Sequence, residues 1–384
     1  MKKTLIALAL TTLPVAAMAE VTLYGQIKAG YEASSTKISG IKDVKDWGSG
    51  VENGIADYGS RIGFKGKEDL GNGLNAIWQV ESKVGLADGK TNTKNQFATR
   101  DSFIGLETPF GKIRAGYLSN YSNSDMEQVD PWEYNNSVLG LGTFTRFDTR
   151  FAGVRYDSPE FAGFSASLLY SPSDNNKGLA TDATGTYYGG TDSRDDAAAR
   201  PAVADKKSKD TYNVGLSYEN AGFFGKYSYE YHKNSAGTFN GQLHRLEAGY
   251  DANNLLVAVG YQNAKNLLGY NDKADAFYIV NYGGSPVRTQ EAVITAGYHF
   301  GNVFPKISYA HGWDVKSAGT GKSEKSANTK YDQIVLGADY SFSKRTTANV
   351  QAGWLREGRG LDYLGESKGK QTTTAFGAGL KHVF

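Results

Sequence analysis

Residues 372–384 read TTTAFGAGLKHVF, and the chain stops there. In an extended strand, Phe376, Ala378, Leu380, His382 and Phe384 share one face, and Ala375, Gly377, Gly379 and Lys381 share the other. A chain terminus normally frays in water. An aromatic at the last position of an alternating strand instead predicts an apolar medium on one side and a partner strand that prevents fraying.

Working back from this segment, runs of eight to twelve residues alternate at period 2 between turn residues, and about sixteen of them emerge, from 21–32 to 371–384. Their connections alternate in length. Short ones (EDLGN, ETPFG, SPEFA, Asn220-Ala221, Gly301-Asn302, Ser343-Lys344) interleave with long polar ones such as 33–58, 118–148, 171–210 and 263–289. Tight turns at one end of a sheet and long loops at the other are the asymmetry of an outer-membrane barrel, with periplasmic turns and extracellular loops.

A soluble sandwich would need a second apolar face. The opposite stripe here is Gly, Ser, Lys, Arg and Gln, which predicts a wet interior. Strand ends carry aromatics, among them Tyr24, Tyr117, Tyr156, Tyr170, Tyr261, Tyr309 and Trp354, expected as interfacial girdles. In lipid every N–H and C=O needs an internal partner, so the first and last strands must pair. A ten-residue strand tilted by about 40° spans roughly 25 Å, the height of the apolar band. The expected fold is all-β: a 16-stranded antiparallel transmembrane barrel.

The N-terminal end supplies the route to that membrane. Lys2 and Lys3, the apolar run 5–10, Pro14 and Ala17-Met18-Ala19 predict a signal peptide over residues 1–19, with residues 20–384 forming one barrel domain. No later stretch offers about 18 consecutive apolar residues for a spanning helix. There is no Cys in 384 residues, so disulfides do not hold the fold. The 42 basic residues include Lys2 and Lys3, so the mature chain carries 40 basic and 40 acidic residues, and no cationic surplus points to nucleic acid.

The segments VTLYGQIKAGYE, GSRIGFKGKEDLGNGLNAIWQVE, RDSFIGLETPFGKIRAGY, VRYDSPEFAGFSASLLY and GLKHVF resemble Gram-negative general porins, and are most similar to the neisserial type. The resemblance covers essentially the whole mature chain. It implies a homotrimer of barrels in the lipid and lipopolysaccharide of the outer membrane, each pore narrowed by an inward-folded third loop. It also implies that Phe376, Leu380 and Phe384 form the C-terminal signal read by the barrel-insertion machinery.

Parity then nominates pore residues. With Ile62 and Phe64 toward lipid, Arg61, Lys65 and Lys67 point inward; with Ile113 and Tyr117 toward lipid, Lys112 and Arg114 do so. Lys28, Lys83, Arg100 and Arg150 are similar candidates. Arg150 and Arg155 have opposite parity, so without a bulge only one is expected to face the lumen. The third long loop carries Asp125, Glu127, Asp130 and Glu133. By the resemblance it places these acids opposite the basic wall, giving a transverse field that filters ions and small hydrophilic solutes.

Other chemistry finds no support in the sequence. His232, His244, His299, His311 and His382 lack metal-ligand spacing, and neither Gly140 and Gly142 nor Gly189 and Gly190 sit between a strand and a helix as a phosphate cradle would, so neither metal nor cofactor is expected. A barrel lipase or protease would need a nucleophile and base gathered at one rim. A sugar-specific channel would need aromatics lining the lumen, for which Trp132 and Tyr134 are the candidates. Anion or cation preference stays open at this level.

Overall fold

The computed structural model describes residues 20–40, 50–87, 97–134, 136–172, 209–236, 239–267, 287–317, 324–359 and 369–384. The expected signal peptide, Asn135, Gly189 and Gly190, and most of loop 171–210 lie outside these residues.

The strands are β1 (Glu20–Ser39), β2 (Glu52–Asp57), β3 (Arg61–Gly71), β4 (Leu74–Lys83), β5 (Ser102–Thr108), β6 (Gly111–Ser119), β7 (Arg150–Asp157), β8 (Phe164–Ser171), β9 (Thr211–Asn220) and β10 (Phe223–Ala236). They continue as β11 (Phe239–Ala252), β12 (Leu255–Lys265), β13 (Val287–Tyr298), β14 (Val303–Gly312), β15 (Lys316–Ser317), β16 (Glu324–Lys325), β17 (Tyr331–Ser341), β18 (Thr346–Gly358) and β19 (Lys370–Val383). Sixteen of these close an antiparallel barrel; β2 lies on the upper part of β1, and β15 and β16 form a small hairpin between β14 and β17.

Closure is made by β1 and β19, paired from Gln26↔Val383 to Ser39↔Lys370. Below that, β1 pairs with β3 from Gln26↔Arg61 to Glu20↔Lys67. Strand β1 therefore runs seven residues past its expected end at 32. Above the lipid, residues such as Ser34, Ser35 and Thr36 need no apolar parity, so periodicity could not show that the ladder continues, or that β2 would join it.

Short turns work as the register needs. Ala221 and Gly222 both have positive φ, 51° and 84°, the paired left-handed conformation whose twist matches the flanking strands.

Outward positions are apolar: Val21, Leu23, Ile104, Ile113, Leu216, Leu246, Ile307, Leu336, Val350, Phe376 and Leu380 are all exposed on the barrel wall. Of the expected girdle, Tyr156, Tyr170, Tyr261 and Tyr309 are exposed on this face, whereas Tyr117 reaches an inner polar cavity. Tyr24 departs from it as well. Its neighbours Val21 and Leu23 take the lipid face, its ring lies against Gly63, and the Lys65 ammonium sits 5.2 Å above it, so Tyr24 belongs to the lumen.

Phe384 extends the seam. Its amide donates to Gly25 O at 3.1 Å and its carbonyl accepts from Gly25 N at 3.0 Å, while a Cβ on Gly25 would stand 2.7 Å from the ring. Deleting Phe384 removes both hydrogen bonds and the ring, an expected loss of roughly 2–4 kcal/mol. Denaturant unfolding of the refolded barrel measures it. An unchanged midpoint would show that the last residue does not hold the seam.

Candidate permeation constriction

The loop after β6 decides the shape of the interior. It starts with one helical turn, α1 (Tyr121–Asp125), whose cap Asn120 accepts from Asn123 N at 3.2 Å and donates through Nδ2 to Glu230 at 2.8 Å on the far wall. The chain then crosses the lumen. Val129, Trp132, Leu139, Leu141 and Phe144 are buried with Ala258, Val293, Ala310, Val335, Leu355 and Ala375 of the inner wall.

Part of the interior is therefore dry, which corrects the expectation of a wholly wet inner stripe. Small residues that looked like a polar lining make room for the loop. A Cβ on Gly260 would meet Val293 at 2.8 Å, Phe144 at 3.1 Å and Val129 at 3.2 Å.

Crossing the lumen strips the loop backbone of water, so its carbonyls need wall donors. Gln333 Nε2 donates to Ser137 O and Gly140 O, Gln262 Nε2 to Phe144 O at 2.8 Å, Lys226 Nζ to Asp125 O at 2.7 Å, and Lys306 Nζ to Pro131 O. Two buried guanidiniums complete the fastening. Arg146 forms a two-pronged pair with Glu291, and Arg245 bridges Asp148 (2.7 Å) and Glu247 (2.6 Å).

Between the loop and β1, β3, β6, β7 and β19 a polar cavity of about 510 Å³ stays open. Lys28, Arg61, Arg100, Arg150 and Lys381 line one side, and Glu127, Asp130, Glu133 and Asp148 the other. Seven of the ten nominated residues meet here: Lys28, Arg61, Arg100, Arg150, Glu127, Asp130 and Glu133.

Their charges are unequally matched. Arg100 pairs with Glu81, and Arg150 with Asp101, which also accepts from Ser119 Oγ at 2.7 Å. Glu133 sits between Lys28, at 2.9 Å, and Lys381. Burial alone would raise its pKa, but the two ammonium groups outweigh that and hold its carboxyl below the usual range. Arg61 has only a long 3.6 Å contact with Glu81. Glu127 has no ion pair among the described residues and points into the opening; burial lifts its pKa, while Arg61 pulls it down. Burial also pushes Asp130 up to about 7, against backbone N–H donation from Leu141 and the positive charges of Arg245 and Lys306.

Lys65, Arg114 and Asp125 lie elsewhere. Inward positions four apart on a strand are about 13 Å apart along it, so residues that share a stripe do not share a height. Lys65 lines a lower vestibule of about 920 Å³ with Lys67, Lys112 and Phe103. Arg114 is paired with Asp157, and Asp125 with Arg155 at 2.7 Å.

Arg150 and Arg155 both face inward, against the parity expectation. Arg155 is buried against Ser119 O and Ser124 Oγ. Arg150 belongs to the last pair of the β6–β7 ladder, Ser119↔Arg150, above the point where β5 has ended, and both residues turn to Asp101. Sequence reasoning missed Lys381, Glu81 and Asp148 as parts of the site. Lys381 stood on the inward stripe of the terminal strand and Glu81 opposite Gly63, so parity could have found both; Asp148 had no such signal.

A family profile described as Gram-negative porin matches residues 32–384. The chain is 44% identical to the major outer membrane protein P.IB of Neisseria sicca and 39% identical to P.IA of Neisseria meningitidis serogroup C, in both cases over 100% of each chain. Its fold is similar to that of an anion-selective porin from Comamonas acidovorans (TM-score 0.60, 18% identity, 95% of this chain and 100% of that one). It is also similar to that of the outer membrane channel DcaP of Acinetobacter baumannii (TM-score 0.63, 13% identity, 96% and 99%).

Proposed function

Because the chain belongs to the Gram-negative porin family, a family of outer-membrane channels and not a class of enzymes, we propose that the cavity between its third loop and the basic wall is the constriction that filters passively diffusing ions and small hydrophilic solutes. The observation that carries this reading is the facing of Lys28, Arg61, Arg100, Arg150 and Lys381 against Glu127, Asp130 and Glu133 around one open, polar space. Opposed charges in a narrow water-filled passage discriminate by sign and size. The active assembly in this reading is a homotrimer.

A sugar-specific channel has less to rest on. Trp132 touches the cavity but is almost fully buried, its Nε1 on Ser308 Oγ at 2.9 Å, and Tyr134 is buried in a stack on Tyr58 at 4.1 Å, so neither ring is laid open to a passing sugar.

Planar-bilayer recording in a KCl gradient tests the proposal. Large steps grouped in threes are expected. Their absence, or strong block by one sugar, would overturn it.

The same recording has a pH signature. Asp130 is ionised above about 7 and neutral below it. Lowering the pH from 8.5 to 5.5 removes a negative charge from the loop side, so selectivity is expected to move toward anions. Asp148, which burial pushes up to about 8, titrates beside the same cavity, so Asp130→Asn should reduce that change without abolishing it. A pH response identical in the variant would take Asp130 out of the filter.

A further inference from the structure

Four cations stand in one row on the outside of the barrel. The register pairs Lys265 with Arg288, Arg288 with Lys316, and Lys316 with Lys325. Residues directly opposite in an antiparallel ladder project from the same face. Here it is the outer face: Tyr261 and Ile294, which share parity with Lys265 and Arg288 on β12 and β13, are exposed on the lipid side, while Val287 and Val315, adjacent to Arg288 and Lys316, are buried inward.

Like charges directly opposite one another destabilise a ladder unless something of opposite sign intervenes. None of the four forms an ion pair among the described residues. Arg288 Nε donates to Asn263 Oδ1 and Lys316 Nζ to Gln290 Oε1, both at 3.0 Å, and both acceptors are neutral. Three described carboxylates of the adjoining strands and loop are engaged elsewhere. Asp332 accepts from Tyr309 OH at 2.8 Å and contacts His311 at 2.7 Å, Asp314 accepts from the Thr329 and Lys330 amides, and Glu291 faces the lumen with Arg146.

The row has a definite height. Tyr261, Tyr309 and Trp313 form an exposed aromatic patch on the same face, with Trp313 6.3 Å from Tyr261. Such rings mark the membrane interface. Four residues from Tyr261 to Lys265 rise about 13 Å along the strand, or about 10 Å along the membrane normal at a 40° tilt, toward the long-loop end. That is the level of the extracellular headgroups.

We propose that Lys265, Arg288, Lys316 and Lys325 bind the phosphates of an anionic glycolipid headgroup in the outer leaflet. Neighbouring strands lie about 4.8 Å apart, so the row extends about 14 Å. One free phosphate would engage only part of it. A headgroup with two phosphates separated by a disaccharide spans it, and the adjacent aromatic patch covers the junction with the acyl chains.

The test uses the full chain refolded in zwitterionic micelles and titrated with bisphosphorylated lipid A, with melting temperature and bound glycolipid per chain as readouts. Replacing all four residues by Gln is expected to weaken binding by roughly 600-fold, and Arg288→Gln alone by about fivefold. Conductance should stay the same, and the melting temperature without glycolipid should not fall, because a repulsive row has been removed. Exchanging the three lysines for Arg should keep the affinity. Affinity within about twofold of the parent in both Gln variants would overturn the site. So would displacement of the glycolipid by millimolar inorganic phosphate, which would mark a free-anion site, or tighter binding of a soluble sulfated polysaccharide than of lipid A, which would mark a surface for a soluble polyanion.

Discussion

Replacing Arg146 by Met is expected to destabilise the barrel by about 3–5 kcal/mol and to make the open channel noisy. Arg146 and Glu291 are both almost fully buried, and they join the third loop to β13 through two parallel hydrogen bonds. A further bond from Arg146 reaches Thr289 Oγ1 at 3.1 Å. Removing the guanidinium leaves a buried carboxylate with only Gln262 Nε2, at 3.0 Å, and Tyr331 OH, at 3.1 Å, among its described neutral donors. Two neutral donors offset part of the lost charge pairing. The loop then loses its link to this wall. Arg146→Met/Glu291→Met removes both charges and should recover much of the stability, because the buried pair contributes less by its presence than it costs when halved. Chemical unfolding and current-noise spectra measure the two effects separately. A loss below about 1 kcal/mol with quiet channels would mean that the loop is held by its apolar contacts and by Gln333 and Lys306 instead.

The difference between what the sequence disclosed and what it hid follows the medium each residue meets. Lipid imposes parity, so strands such as the one carrying Ile113 and Ala115 could be read off directly. Ser34 to Ser39 stand above the lipid, where that rule lapses, and the continuation of β1 was not visible. Inside the barrel the rule fails differently. Gly260, Ala310 and Ala375 read as a wetted stripe, yet they are small because Val129, Leu141 and Phe144 lie on them, and only the path of the loop reveals this. Ion pairs between distant segments, such as Arg245 with Asp148, leave no local signature at all. The basic wall was legible as a stripe, but the height of each residue on it was not, which is why Lys65 and Arg114 were grouped with Arg61.

That difference in height singles out one residue pair for selectivity. Arg100 and Arg150 each face a carboxylate of the wall, and Lys28 and Lys381 share Glu133, so much of their field is spent on fixed partners. Arg61 is more than a third exposed and has only its 3.6 Å contact with Glu81, a group already engaged by Arg100. Across the opening, Glu127 lines the cavity and is unpaired among the described residues. A permeating ion therefore feels Arg61 and Glu127 most directly. A unit charge about 6 Å from the ion path is worth about 0.7 kcal/mol in a water-filled passage, with opposite sign for an anion and a cation, so roughly tenfold in the permeability ratio. Arg61→Gln should lower the anion-to-cation ratio by about that factor, and Glu127→Gln should raise it similarly. The double variant should return close to the parent ratio while passing dipolar solutes less selectively, since the transverse field is gone although the net charge is restored. Arg100→Gln should behave differently from Arg61→Gln, because it frees Glu81 to pair with Arg61 and so spends the remaining cation as well. Zero-current potentials of the four variants in one KCl gradient decide the matter. Equal shifts for Arg61→Gln and Arg100→Gln would mean that the wall acts as a pooled charge, and no shift for either would place the filter outside this cavity.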